Sequence, residues 1–365
     1  PIANKGLGAV LSVAPSPEAE QPSDLDTSAD RRIRLEAAPQ PALASLRWPG
    51  RPKLAAGNPS WTYMVESPFG EFAIFVGHVE NGDPHPFEVW VNGAEQPRGL
   101  GAVAKTLSMD MRAQDRAWLR TKLDMLARTA GDDAFDCPMP PDGAPQRVPS
   151  MVAAFARIVR WRVDQLGALA KADGPSPVLD ALFARKEPKT GTDGTLSWTV
   201  DVHNPRAGDD FVLMLKELVL PGGQRRPYSI WMAGEYPRAL DGLCKLLSLD
   251  MRVIDPAWVG MKLKKLLDFP EPLGDFMAFV PGTRKQQNFP STVSYVARLI
   301  LHRYAMLGIL DEDGLPKRQM GILENPAARE STVIAGAKCP ECGNKTLIRK
   351  DGCDYCTACG YVGIC

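Results

Sequence analysis

Six of the eight cysteines of this chain lie in its last 27 residues. Four of them form two Cys-x-x-Cys-Gly motifs, at 339–343 and 356–360. A tight turn lets the two thiolates of such a motif reach one metal ion, and two motifs supply the four soft ligands of a tetrahedral zinc site. We therefore predict a structural zinc site formed by Cys339, Cys342, Cys356 and Cys359. Because so short a segment cannot build a core, the metal would supply most of its folding free energy.

Two further tail cysteines, Cys353 and Cys365, have no assigned ligand role. Cys353 also lies two residues before Cys356 and could replace Cys359 as a ligand, although Gly360 favours the Cys356 and Cys359 pair. Spacing alone leaves two interpretations of the surplus thiols. They are bystanders, or they form a thiol–disulfide shuttle, which must enter a distant pocket and then meet an external reductant.

Outside the tail, the sequence contains little that indicates catalysis. No phosphate-cradling glycine motif or nucleophile elbow is present, and no histidine recurs at a matched position. Three pairs of matched charges could form a polar site, but charges on helices more often make surface pairs or caps. These pairs are Lys105/Lys245, Asp110/Asp250 and Arg112/Arg252.

The tryptophans and the two remaining cysteines favour structural roles. We predict that Trp61, Trp90 and Trp118, with their partners in the second half of the chain, fill the core, since aromatic residues at matched positions mostly occupy volume. Cys137 and Cys244 are isolated in the sequence, and we expect both to be buried, inert thiols.

An internal repeat organises the middle of the chain. Ser60-Trp61-Thr62 recurs as Ser197-Trp198-Thr199, and the stretch 105–112 recurs at 245–252. Further matches follow in the same order: Ala117-Trp118 with Ala257-Trp258, and Pro149-Ser150 with Pro290-Ser291. So many matches in one order predict a duplication.

The pattern within each copy predicts an α+β unit. Alternating apolar residues, Phe72, Ile74 and Val76 in one copy and Phe211, Leu213 and Leu215 in the other, predict half-buried strands. The turn residues Asn81-Gly82 and 221–223 then favour an antiparallel hairpin. Helices are expected at about 98–128, 149–168, 238–268 and 290–308. The predicted fold is two tandem repeats of a small antiparallel sheet packed by helices, followed by a zinc ribbon.

These elements divide the chain into five segments. We expect a flexible linker at 1–45, repeats at 46–175 and 176–312, a second linker at 313–337 and the ribbon at 338–365. The chain begins at Pro1 within a sequence that resembles the middle of a linker, so we expect a fragment or a separate subunit.

Composition limits the classes of partner. The 43 basic and 43 acidic residues balance, so no net field would draw the whole molecule to nucleic acid or an anionic membrane. No apolar stretch approaches the roughly 20 residues that span a bilayer. Because the cysteine-rich tail suits reduced thiols and no secretory signal is recognisable, we predict a cytoplasmic location and no membrane partner.

The tail from Cys339 to Cys365 resembles the extreme C-terminus of cobalamin-dependent (class II) ribonucleotide reductases. The duplicated units, the first opening with Gly57-Asn58-Pro59-Ser60-Trp61-Thr62, resemble the paired domains that precede this ribbon in large bacterial members. The likeness covers about residues 46–365. It implies reduction of ribonucleotides to deoxyribonucleotides by a thiyl radical that adenosylcobalamin initiates, with tail cysteines re-reducing a cysteine pair after each turnover.

The resemblance also implies partners. The family's catalytic barrel, which holds the radical cysteine and binds substrate and cobalamin, has no counterpart here, so this chain alone is expected to be inactive. The expected partners are that barrel and a thioredoxin-like reductant. By resemblance, Cys353 and Cys365 are the shuttle pair and the other four tail cysteines hold zinc. Alternatively, the family's tail chemistry runs through Cys356 and Cys359, which would change the zinc assignment.

The sequence leaves two other classes of function open. A zinc-ribbon module that binds nucleic acid would need basic and aromatic residues on the ribbon. Here Lys338, Lys345, Arg349 and Lys350 are opposed by Glu341, Asp351 and Asp354, so we do not expect nucleic acid as a partner. In the other alternative, the zinc site only staples the tail and the repeats mediate assembly.

Overall fold

The protein is a mixed α+β chain with several small antiparallel sheets. The computed structural model describes residues 42–80, 84–169, 174, 176–190, 192, 194–219, 225–317, 337–341, 347–350, 353–356 and 361–363. Within them the strands are β1 (Ser60–Ser67), β2 (Gly70–Val79), β3 (His85–Asn92), β4 (Phe135–Met139), β5 (Ala144–Val148), β6 (Ser197–Asn204), β7 (Asp209–Val219), β8 (Arg225–Glu235), β9 (Phe276–Phe279), β10 (Gln286–Phe289), β11 (Leu347–Lys350) and β12 (Cys353–Cys356). The helices are α1 (Leu100–Met111), α2 (Arg116–Leu126), α3 (Met151–Gln165), α4 (Pro177–Asp180), α5 (Leu240–Met251), α6 (Pro256–Leu266) and α7 (Thr292–Met306).

The first half of the molecule, 60–165, is built on the three-stranded antiparallel sheet β1-β2-β3. Phe72, Ile74 and Val76 on β2 are buried, as their alternation predicted. The expected antiparallel pairing of two strands is present between β2 and β3. The sheet also has β1 as an additional edge strand, paired with β2 in register from Ser60↔Gly77 to Ser67↔Gly70. The turn residues 81–83 and 220–224 lie outside the described part of the chain.

Helices pack on the sheet and have identifiable starts. The helical stretch expected at 98–128 is two helices, because α1 ends at Met111 and Asp115 begins α2 by accepting a hydrogen bond from the Trp118 N–H at 2.8 Å. Ser150 caps α3 and Ser291 caps α7 in the same way. The short antiparallel pairs β4-β5 and β9-β10, which the sequence pattern did not predict, precede these two helices.

The second half, 197–306, has the same elements in the same order. The sheet β6-β7-β8 is followed by α5, α6, the β9-β10 pair and α7. Both sheets have a register shift at a corresponding place, between Gly77 and His78 in β2 and between Lys216 and Glu217 in β7. The large core contains buried side chains from both halves, including Leu107 on α1 and Leu247 on α5.

A short arm precedes each half and crosses to the other. The first arm, 42–46, begins with a 3-10 helix at Ala42–Ser45, the last four residues of the predicted N-terminal linker. The second arm, 178–182, includes the end of α4. The Ala42 N–H donates to Asp255 of the second half at 2.9 Å, and the Val178 N–H donates to Asp115 of the first half at 2.9 Å.

The remaining linker predictions fall mostly outside the described residues, at 1–41 and 318–336. The start of the second predicted linker is structured, since Asp311 accepts the Leu315 N–H and Leu310 bridges to Pro316. None of the described helices is long and apolar enough to cross a membrane.

Candidate functional site

The described part of the tail consists of short segments held side by side. Leu347 is at the middle, pairing with Ala337 on one side and with Cys356 on the other. β11 and β12 run antiparallel, from Leu347↔Cys356 to Lys350↔Cys353. The Cys356 N–H donates to the Tyr361 carbonyl at 2.7 Å, and Tyr355 bridges to Val362, so 361–363 lies beside β12.

This arrangement brings together the first cysteine of each motif. Cys339 is 1% exposed, Cys356 is 0% exposed, and both belong to one small buried cluster that Leu347 and Tyr361 cover. Two buried cysteine sulfurs in one cluster are the donor type that zinc prefers. Cys342 and Cys359, the other two predicted ligands, lie outside the described residues, as does Cys365. Among the described residues, no group of three or more metal-ligating side chains is found.

Cys353 differs from these two cysteines in its chemistry. It begins β12, is part-exposed and is disulfide-bonded. A cysteine in a disulfide is oxidised, which is one of the two states that a thiol–disulfide shuttle must visit. By contrast, Cys137 and Cys244 are buried free thiols, as expected, and burial raises the pKa of Cys137 to about 11 and also raises that of Cys244. Their thiolate forms are therefore suppressed at neutral pH.

A second polar constellation lies at the centre of the molecule. It consists of four charged side chains, Asp110 on α1, Lys122 on α2, Asp250 on α5 and Lys262 on α6, each 0% exposed. We call these four residues the charged centre. The prediction that Asp110 and Asp250 make surface pairs or caps is therefore wrong, because their cationic partners come from helices that pack over them in the core.

Each ammonium group in the charged centre contacts carboxylates from both halves. Lys262 Nζ donates to Asp110 and, at 2.7 Å, to Asp250. Lys122 Nζ lies 2.8 Å from Asp250 Oδ2 and 3.7 Å from Asp110 Oδ2, and it donates to the Leu246 carbonyl at 2.7 Å. Two positive and two negative charges thus offset one another across the boundary between the halves, which is the condition for burying charges.

Two tryptophans, Trp118 and Trp258, pack beside the charged centre. The Trp118 Nε1–H donates to Asp110 at 2.6 Å, and the Trp258 Nε1–H donates to Asp250 at 2.8 Å. Lys122 Nζ lies 4.7 Å from the Trp118 ring centroid and Lys262 Nζ lies 5.1 Å from that of Trp258, within cation–π range. Both indoles are 0% exposed, which confirms the prediction that this matched pair of tryptophans lies in the core.

The two lysines of the charged centre differ in pKa. Desolvation lowers the pKa of Lys122 to about 8, and the nearby Asp110 and Asp250 offset only part of that effect. For Lys262 desolvation also lowers the pKa, but the charges of Asp110 and Asp250 and hydrogen bonds to both outweigh it, so the pKa is raised. Since neither ammonium contacts solvent, the arrangement joins the halves and does not face a soluble ligand.

Further ion pairs cross the same boundary. Arg98, just before α1, makes two hydrogen bonds of 2.8 Å to Asp209 of β7. Its neighbour Gly99 has a φ of 81°, and its N–H donates to Glu271 at 2.9 Å. A side chain at position 99 would also meet Leu240 of the second half at 2.8 Å, so glycine lets the halves approach here.

The remaining tryptophans correct another prediction. Trp90 and Trp231 are each 51% exposed and are not core residues. On β3 the inward positions belong to Phe87, Val89 and Val91, so strand alternation places Trp90 on the solvent face. Trp61 and Trp198 are partly buried against the core.

The other matched charges of the two halves lie outside the charged centre. Arg112 donates to the Phe87 carbonyl, and Arg252 donates to the Ser248 carbonyl. Burial lowers the pKa values of Lys105 and Lys245.

Sequence reasoning missed Lys122 and Lys262 as members of a site. A signal was present, because each lysine recurs in both copies four residues after a tryptophan, which places it on the same helix face as that tryptophan.

Comparison of the chain with models of known families, with curated proteins and with solved structures gave no match.

Proposed function

We propose that this chain is the C-terminal part of an adenosylcobalamin-dependent ribonucleotide reductase, either as a fragment or as a separate subunit. In this proposal its tail relays electrons from a thioredoxin-like protein to a catalytic barrel that other residues provide. The observation that carries the proposal is the difference in state among the tail cysteines: Cys353 is disulfide-bonded, while Cys339 and Cys356 are buried together in a site suited to a metal.

The relay is a pair of thiol–disulfide exchanges. Reduction of a ribonucleotide releases water and oxidises a dithiol of the barrel to a disulfide. The tail dithiol, with Cys353 as one member and Cys365 as the proposed other, reduces that disulfide and itself becomes a disulfide. A thioredoxin-like dithiol then reduces the tail, so two electrons and two protons pass at each exchange. Adenosylcobalamin would start the radical chemistry in the barrel.

In the proposed ribbon, zinc is held by Cys339, Cys342, Cys356 and Cys359. The burial of Cys339 and Cys356 in one cluster supports this ligand set, and thiolate coordination would hold these four sulfurs out of the exchange reaction. The metal then has a structural role, fixing the fold from which the redox cysteines extend.

We also propose that the two halves arose by duplication. The identical order of elements supports this, as do the charged centre and the crossed arms, in which each half supplies equivalent groups. The charged centre also favours a second candidate function, an assembly module. In that case the chain positions the barrel without exchanging electrons.

Thiol alkylation followed by mass spectrometry tests the relay. We expect Cys353 to be protected from alkylation in the oxidised chain and to become reactive after treatment with thioredoxin and its reductase. The matched control is Cys137, whose buried thiol should not respond to thioredoxin. If thioredoxin leaves the alkylation of Cys353 unchanged, the relay is wrong and the assembly candidate is favoured.

Activity of the assembled enzyme gives a second measurement. Cys353→Ser should abolish deoxyribonucleotide formation driven by thioredoxin but retain it with dithiothreitol, which reaches the barrel directly. Cys244→Ser, at a buried position remote from the tail in sequence, should retain both activities. Zinc content should be one per chain and should be lost in Cys339→Ser, whereas absence of zinc from the unmodified chain would exclude the ribbon.

A further inference from the structure

The solvent face of the second sheet has an exposed tryptophan with a fixed environment. Trp231 on β8 is 51% exposed, and its Nε1–H donates to Glu187 at 3.3 Å. Lys216 on β7 donates to the same carboxylate at 2.9 Å and lies 5.7 Å from the Trp231 ring centroid. Glu187 thus fixes the segment before β6 to this face.

The same segment contacts the cysteine-rich tail. Lys189, two residues after Glu187, forms an ion pair of 2.9 Å with Glu341. Glu341 lies between Cys339 and Cys342, inside the first cysteine motif. Lys189 is 74% exposed and Glu341 is 32% exposed, so the pair lies at the surface of the second half. Two residues of chain span at most about 7 Å, so the motif contacts the chain within that distance of the residue that Glu187 fixes to Trp231.

The equivalent face of the first half is arranged differently. Trp90 is equally exposed, but its neighbouring cation, Arg51, makes two hydrogen bonds to the buried Glu88 at 2.5 and 2.9 Å. Arg51 is therefore held against its own sheet. Within the described ranges, no ion pair joins the tail to the first half. Among the described residues, the Lys189–Glu341 contact therefore has no counterpart beside Trp90.

We propose that the face formed by Lys189 and Trp231 is the docking surface for the cysteine ribbon of the same chain. An exposed ion pair is weak by itself and is screened by salt. Here the partners belong to one chain, so the tether gives a high effective concentration and a weak contact is populated. The surface would hold the ribbon in a defined place beside the second half. The inference does not depend on whether the tail exchanges electrons.

Zero-length crosslinking with a carbodiimide tests the contact, because it forms an amide only between an amine and a carboxylate that already touch. We expect mass spectrometry to find the Lys189–Glu341 crosslink in the full chain. The Lys216–Glu187 pair, also at 2.9 Å, is the internal positive control. Recovery of the control crosslink without Lys189–Glu341 would overturn the proposal.

Variants separate the ion pair from the tryptophan face. Molar salt should lower the Lys189–Glu341 yield about two- to fivefold, as the strength of exposed ion pairs implies. Trp231→Ala should also lower it, whereas the matched Trp90→Ala should leave it unchanged, with circular dichroism confirming that both variants fold. Equal yields in the two alanine variants would exclude the Trp231 face as the docking surface. Because none of these measurements involves thioredoxin or nucleotide, their failure would leave the electron relay in place.

Discussion

The indole rings of Trp118 and Trp258 meet edge to face, with 6.2 Å between their centroids and 79° between their planes. One ring comes from each half, and each donates a hydrogen bond to the aspartate of its own half. The boundary between the halves is thus an interior of the protein, with aromatic and charged groups that match across it. Its stability depends on every charge having its partner.

Loss of one carboxylate from the charged centre should be strongly destabilising. Asp250→Asn keeps the shape of the side chain but leaves two buried ammonium groups with a single counter-charge, Asp110. We expect the free energy of unfolding to fall by about 3–5 kcal/mol, measured by urea denaturation. Asp136→Asn is the control, since Asp136 is 65% exposed and pairs with an equally exposed arginine. A loss below about 1 kcal/mol for Asp250→Asn would contradict the role of the charged centre.

The matched arginines Arg98 and Arg238 should differ in their contribution to stability. Arg98 pairs with Asp209, which is 3% exposed, whereas Arg238 pairs with Asp132, which is 67% exposed. Arg98→Met leaves a buried carboxylate without its main partner, so we expect a loss of about 3 kcal/mol. Arg238→Met should cost about 1 kcal/mol or less. If urea denaturation showed equal losses of unfolding free energy in the two variants, the Arg98–Asp209 pair would contribute no more to stability than the exposed Arg238–Asp132 pair.

Because each arm contacts the opposite half, a substitution in one half should weaken the arm that precedes the other half. Asp115→Ala removes the N-cap of α2 and the acceptor of the Val178 and Leu179 N–H groups. We expect a loss of about 2 kcal/mol or more, from the cap and from buried donors left without a partner. Hydrogen exchange should accelerate at Val178 and Leu179 in this variant.

The reciprocal variant is its control. Asp255→Ala should instead accelerate exchange at Ala42, whose N–H loses its acceptor. If either variant affected both arms equally, the crossed contacts would not be independent.

His85 should make the protein less stable in mild acid. Burial lowers its pKa from 6.5 to about 4, with smaller effects of Arg47 and Arg116 in the same direction and an opposing hydrogen bond to the Met111 carbonyl. The folded state therefore binds fewer protons than the unfolded state between these values. This contribution to stability is complete above pH 6.5, decreases as the pH falls and is lost below about pH 4.

From pH 7 to pH 5 the loss due to this one group should be about 2 kcal/mol. Unfolding free energies of the protein and of His85→Gln at both pH values isolate it from the titration of carboxylates. The variant should lose less stability than the parent on acidification. If both proteins lost the same unfolding free energy between pH 7 and pH 5, groups other than His85 would cause the acid sensitivity.

The antiparallel pairing of β2 with β3 and the start of each long C-terminal helix followed from local patterns. Alternation places Phe72 and Phe211 inward, and Ser150 and Ser291 mark helix starts. β1 was missed because, although apolar and polar residues alternate along it, only Val65 is buried. β4 was missed because it is short and contains Pro138, which normally argues against a strand.

The charged centre could not be predicted from local patterns. Asp110 and Lys262 are 152 residues apart, and a charged residue on a helix is usually exposed. Only the docking of one half on the other brings the four charges together. The exposure of Trp90, by contrast, was predictable from the valines on either side of it, because strand periodicity outweighs the tendency of a large aromatic ring to be buried.

The crossed arms limit where this chain can be divided. If the chain were cut between Gln165 and Val178, the second arm would remain with the second piece, and the α2 cap that it completes would lie on the first piece. The first arm has the opposite dependence, since it completes the α6 cap of the second piece. Neither product would be a finished domain, and each would expose half of the charged centre to water. We therefore expect the two pieces to accumulate in folded form only when they are produced together.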